Sequence, residues 1–226
     1  MMDDDNSCHP QFYVAIDCAI FGIYEGELSL LVVRRKARPA PSIWSLTGGF
    51  TQEGENMADA IRRVIYTFTG VNRMYIEQVG AFGEMARDSE ERTVSVAYYA
   101  LVDSYAVGKK LMRKHKLFWF NLKKIPPLIL DHNEMVKKAR KIMQYKLETT
   151  PVGFNLLPEL FPLTLLMDLY KAAYGKEMLT KNFRPRMHRV HFLKRTDKKS
   201  KKYSNRLAIL YRYDSEAYLK NPRFTL

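Results

Sequence analysis

The chain has 226 residues, 46% of them hydrophobic, and a formal net charge of +13. That length and apolar content allow one large or two small cored domains. With no apolar run of about 18 residues, and an acidic start (MMDDDNSCHP) that lacks the basic-then-apolar pattern of a secretory leader, no membrane span or export is expected.

Two cysteines, Cys8 and Cys18, cannot build a disulfide framework in a chain this long, so a cytoplasmic protein is expected. The charge is uneven. Residues 149–226 hold 16 Lys and Arg against 6 Asp and Glu, a net of +10, whereas residues 1–148 hold 21 against 18. An anionic partner for the last third follows.

In chain order, the apolar runs 13–23 and 28–33 flank Glu25-Gly26-Glu27 and read as a β-hairpin. Residues 44–49 (WSLTGG) lead into a helix over 57–69, whose apolar residues at 57, 58, 61, 64, 65 and 68 form one helical stripe. Strand-like runs follow at 76–82, 93–102 and 117–120. A helix over 134–147 is then predicted, capped by Asn133 or Asp131, with Lys137, Lys138, Arg140 and Lys141 after the acidic start, as the helix dipole favours. The Pro/Gly break at 149–153 predicts a boundary, giving domains 1–148 and 149–226.

Beyond it, Phe161-Pro162-Leu163-Thr164 opens a predicted helix to Tyr174, ended by Gly175. A second helix starts near Lys181-Asn182 and runs to about 191, with Pro185 in its first turn. A strand over 191–195, a basic loop over 196–202 and a returning strand over 205–213 follow. Helix, turn, basic helix and hairpin together predict a winged helix-turn-helix. In that arrangement the N-terminal part of the second helix enters the major groove. Arg184, Arg186 and Arg189 are the expected base or phosphate readers, and Lys181 and Asn182 are backbone contacts. Lys198, Lys199, Lys201 and Lys202 are wing residues that add affinity through phosphates. For Phe183 and Met187 core packing is the expectation.

Residues 49–71, GFTQEGENMADAIRRVIYTFTGV, carry a second motif. Gly49, Glu55, Arg63, Ile65, Gly70 and Val71 fit the frame of a Nudix box, whose remaining three glutamates are replaced by Val64, Thr67 and Phe68. The chain resembles the Nudix family here, which implies an α/β/α sandwich. A Nudix hydrolase holds Mg²⁺ against a diphosphate with hard oxygen ligands. Valine, threonine and phenylalanine cannot supply them, and Glu55 is expected to pair with Arg63. No catalytic residue, no metal site and no cofactor are therefore expected. An active hydrolase with atypical metal ligands is the enzymatic alternative.

A Nudix-like domain with this box, followed by a winged helix containing LLP, FPLT, KNFR and LYRY, resembles the Nudix-related transcriptional regulators, the NrtR family. The resemblance implies an α+β chain in two parts and a bacterial homodimer, dimerised through its Nudix domains and repressing at palindromic operator DNA. It also implies a small-molecule effector bound by the Nudix domain. The sugar-responsive branch is the expected one, with L-arabinose as effector; an ADP-ribose-responsive regulator of NAD metabolism is the alternative. Asp17, Arg35, Trp44, Glu84 and His132 are expected to line the effector pocket. Each also has a plainer reading, Trp44 as core, Arg35 as a strand-end charge and His132 as a neighbour of a helix cap.

Overall fold

β1 (Tyr13–Tyr24) and β2 (Glu27–Arg35) form the predicted hairpin, turned by Glu25 and Gly26 at φ 51° and 78°. They belong to a computed structural model that describes residues 11–36, 43–85, 87, 92–174, 183–202 and 207–224. Next come β3 (Ile43–Ser45), β4 (Thr47–Phe50), helix α1 (Met57–Thr69), β5 (Tyr75–Phe82) and β6 (Thr93–Leu101). A short helix α2 (Lys109–His115), β7 (Leu117–Asn121) and a long helix α3 (His132–Thr149) complete this part. The sheet has seven strands, in the order β3-β2-β1-β6-β5, with β4 paired to β1 and β7 to β2.

Alternation along β1 explains the layers. Ile16, Cys18 and Ile20 bury against Ala60, Ile61 and Ile65 of α1, while Ala19, Phe21 and Ile23 join the core that includes Met135, Ala139 and Met143 of α3. Each such fully buried large side chain contributes roughly 1.5–3 kcal/mol. α1 has the predicted limits. Asn56 Oδ1 accepts the Asp59 N–H at 2.9 Å, and Gly70 ends the helix at φ 72°. α2 has no counterpart among the sequence expectations, because seven residues, none of them buried, leave no periodic stripe. α3 begins earlier than expected. Asp131 is its N-cap but makes no side-chain capping bond, because its carboxylate is taken by Arg87, and Asn133 bonds the Leu128 carbonyl instead.

After a tight 3₁₀ turn over Pro151–Leu156 come β8 (Phe161–Pro162), α4 (Leu163–Tyr174), α5 (Phe183–Arg189), β9 (Leu193–Ser200), β10 (Ala208–Tyr213) and α6 (Ser215–Lys220). β8, β10 and β9 form a three-stranded sheet. Four expectations need correction. Phe161-Pro162 is a strand on β10 rather than the first turn of the helix. The second helix ends at Arg189, where Val190 turns the chain. β9 continues to Ser200, because its ladder with β10 and the Thr196 Oγ1 bond to the Leu210 carbonyl outweigh the weak strand preference of its lysines. α6, capped by Asp214, adds a helix that the sequence reading lacks. Gly175, Lys181 and Asn182 lie outside the described residues.

The two parts share one hydrophobic core. Leu147 of α3, Phe154 of the turn, Leu166 and Leu169 of α4, and Phe192 all belong to it. Gln144 and α4 are also bonded reciprocally, Gln144 Nε2 to the Ala173 carbonyl at 3.0 Å and Tyr174 Oη to the Gln144 carbonyl. Among the described residues no helix is long and apolar enough to cross a membrane. Cys18 is buried in β1.

Candidate effector site and nucleic-acid interface

Two of the five expected effector residues meet, around a carboxylate that is 6% exposed. Asp17, on the α3 side of β1, accepts hydrogen bonds from Ser95 Oγ at 2.7 Å and Arg87 Nη2 at 3.1 Å, and His132 Nε2 lies 3.5 Å from its other oxygen. Arg87 Nε bonds both carboxylate oxygens of Asp131 at 2.9 Å. The Leu46 N–H points at His132 Nδ1 at 3.1 Å, which assigns the imidazole proton to Nε2, facing Asp17. Burial pushes the Asp17 carboxyl up, but the bonds from His132 and Ser95 and the Arg87 charge outweigh it and hold the group below the usual carboxylate range. Gly48 sits directly behind: a Cβ there would lie 2.3 Å from Asp17 Oδ1, so only glycine lets β4 pair with β1 over this carboxylate.

Trp44 is adjacent, since Ile129 N–H bonds its carbonyl just before α3. Its ring stands edge-on to Phe118 and Phe120, with the Arg34 guanidinium 5.9 Å from its centroid. Arg34, rather than Arg35, is the arginine beside Trp44. Strand alternation puts Arg35, which is exposed, on the opposite face from Arg34. Glu84 is exposed in the turn after β5, where its carbonyl accepts from Arg87 N at 3.0 Å and from the Arg92 guanidinium. The sequence reading missed Arg87, Ser95 and Asp131. Ser95 and Asp131 carry no motif signal, and Arg87 is 70 residues from the group it neutralises. Clefts also lie away from this cluster. One of about 610 Å³ lies between the β1–β2 turn, α3 and α4, lined by Gly26, Arg140, Gln144 and Lys171; one of about 380 Å³ runs along α3, lined by Leu122, Ile125, Arg140 and Lys141; and another of about 320 Å³ lies between the two parts.

The box residues have taken other work. Arg63 Nε and Nη2 grip the two Glu55 oxygens at 2.6 and 2.7 Å, and Nη2 also reaches the Phe50 carbonyl. The Arg63 bonds hold the Glu55 carboxyl below its usual range. Val64 is buried, Thr67 is exposed, and the Phe68 ring packs 5.1 Å from that of His115 on α2. Among the described residues no three His, Cys, Asp or Glu side chains gather as a divalent cation would need.

On the second part, α5 buries Phe183 and Met187, four apart on one face, as the expected core packing requires. Arg189 is exposed. Arg184 and Arg186 lie in the same helix; the side chain of Arg184 is outside the described residues, as is that of Arg186. Lys198 and Lys199 stand exposed on β9, and Lys201 and Lys202 follow in the turn beyond it.

A seven-stranded sheet between helices, carrying a box at α1 and followed by helix, basic helix and two-stranded wing, defines a Nudix domain joined to a winged helix. The Nudix domain family model matches residues 15–144, and the NrtR DNA-binding winged helix domain model matches residues 153–213. The chain belongs to the NrtR family of Nudix and winged-helix transcriptional regulators. A relative from Acinetobacter baylyi, the ADPR responsive transcriptional repressor NtrR, is 31% identical over 216 residues, covering 94% of this chain and 86% of the relative. An ADP-ribose pyrophosphatase from Methanocaldococcus jannaschii is 26% identical over 130 residues, covering 56% of this chain and 75% of that one. The crystal structure of Shewanella oneidensis NrtR complexed with a 27mer DNA superposes with a TM-score of 0.79 at 28% identity, covering 90% of this chain and 94% of that one. The expected sugar effector, L-arabinose, and the link to carbohydrate metabolism find no support among these relatives. Both curated relatives are named for ADP-ribose.

Proposed function

We propose that this chain is an ADP-ribose-responsive transcriptional repressor whose Nudix domain binds its effector without hydrolysing it. The observation that carries the reading is the likeness, through 94% of the chain, to a repressor named as ADPR responsive. The box supports the non-enzymatic half, since Val64 is core, Phe68 is packed on α2 and Glu55 is held by Arg63. On this reading the protein is a cytoplasmic homodimer joined through its Nudix domains. Its paired recognition helices read the two halves of a palindrome. An effector that prefers a different arrangement of the two parts weakens operator binding, and operator weakens effector binding by the same factor.

Two measurements test it. ADP-ribose, NAD, L-arabinose and D-xylose are each added to the purified protein and the melting temperature followed. A ligand that binds only the folded state raises it, by about 2.7 kcal/mol of stabilisation at a hundredfold excess over Kd. ADP-ribose is expected to give the shift. A shift with a pentose alone would overturn the effector assignment, and release of phosphate products with Mg²⁺ or Mn²⁺ would restore the enzymatic alternative. In parallel, duplexes are selected from a randomised library. Replacing Arg184 and Arg186 by alanine is expected to cost roughly 1–3 kcal/mol per lost bidentate base contact in binding to the selected duplex. The ADP-ribose melting shift of that double variant should stay at the wild-type value.

A further inference from the structure

We propose that the wing is latched to the Nudix domain through Lys202, so that Tyr105 and Asp103 compete with a DNA phosphate for the same cation. The Lys202 ammonium lies 5.8 Å from the centre of the Tyr105 ring, within cation–π range. The Lys202 charge also acts on Asp103, two residues before Tyr105: burial pushes that carboxyl up, and the Tyr105 N–H and the Lys202 charge draw it back. These two residues form a fixed platform. Asp103 caps the turn Ser104–Ala106, accepting the Tyr105 N–H at 2.9 Å, and Ser104 Oγ bonds the Ile23 carbonyl of β1.

Lys202 itself is held at the end of β9 by its own N–H, which bonds Ser200 Oγ at 3.0 Å. The long side chain must leave Tyr105 for the amine to reach a phosphate. Next to the platform, the cleft of about 320 Å³ separates Asn72, Arg73 and Asp103 of the Nudix domain from Phe154, Glu159 and Tyr213 of the winged helix. A lysine expected to add affinity for DNA is thus partly engaged by the effector domain, which lowers the fraction of molecules ready to bind and the apparent affinity with it. Any effector that moves the Ser104–Ala106 turn would change that fraction.

The inference rests on the reading that the winged helix binds duplex DNA, and the experiment separates the two. The full-length protein and its Asp103→Asn, Tyr105→Leu and Lys202→Ala variants are titrated with the selected duplex, together with Tyr105→Leu combined with Lys202→Ala. The Asp103→Asn substitution retains the capping oxygen, and Tyr105 is 53% exposed, so both variants should keep the wild-type melting temperature. The Asp103→Asn and Tyr105→Leu proteins are expected to bind about two- to fivefold more tightly. Lys202→Ala should bind more weakly, and Tyr105→Leu should gain nothing in its background. Unchanged or weaker binding in the first two variants would overturn the latch, as would a gain that persists without Lys202. If no duplex is selected at all, the DNA-binding reading falls and takes the latch with it.

Discussion

Replacing Arg87 by alanine is expected to destabilise the Nudix domain by about 3–5 kcal/mol, the usual cost of removing one partner from a buried ion pair. Its side chain is 3% exposed and bridges two carboxylates, Asp17 at 3.1 Å and Asp131 at 2.9 Å. Without it Asp17 keeps Ser95 and His132 but faces no guanidinium, and Asp131 loses its bidentate partner. The sign with pH follows from the lowered Asp17 carboxyl. A carboxylate whose folded pKa is depressed contributes stability above its unfolded pKa of about 3.9, and that stability is lost as pH falls through the folded value. Removing the guanidinium brings the folded value up, so in the variant the acid loss should begin at higher pH. Urea unfolding at neutral pH and in steps down through the carboxylate range would show both effects. A loss under about 1 kcal/mol would mean that the network behaves as a solvated surface pair.

Phe192→Ala is expected to cost a similar amount, about 3–5 kcal/mol, on the winged-helix side. Phe192 is fully buried, with its ring near-perpendicular to Phe154 at 6.0 Å, Tyr213 at 5.8 Å and Tyr218 at 5.2 Å, and tilted against Phe224 at 5.9 Å. Tyr218 sits on α6, and Phe154 in the turn that joins the two parts. The cavity would therefore loosen the C-terminal helix and the junction together. Guanidinium unfolding should show the lowered midpoint, and binding to the selected duplex should fall with it. Retention of wild-type stability would mean that the four surrounding rings can close over the missing one.

Much of the local structure is legible in the sequence. α1 has its predicted ends because Asn56 and Gly70 are strong cap residues around a clear apolar stripe. The Arg63–Glu55 pair follows from the box, since the loop between them returns on the helix. α2 is hidden because a one- to two-turn helix has too few positions to show a period. β9 reads short because its lysines suggest a loop, and their strand geometry comes from pairing with β10, a non-local cause. Of the expected effector residues, Asp17 and His132 prove to be neighbours, whereas Arg35 lies on the other face of β2. In a strand one residue is the difference between two faces, and only the sheet reveals that Arg34 is the one over Trp44.

By itself the sequence determined the two-part architecture and that Val64, Thr67 and Phe68 stand in the box frame. It also placed the basic charge in the last third. Each of these is written in local spacing, in residue identity or in a count, none of which needs a neighbour in space. The tertiary structure decided what depends on residues far apart meeting in the fold. Arg87 neutralises a carboxylate 70 positions away, Gly48 makes room for that same carboxylate, and one core runs from α3 into the winged helix. The wing lysine resting on Tyr105 is of the same kind. Burial and pairing across such distances are set by the packing of layers, and no periodicity along the chain encodes them.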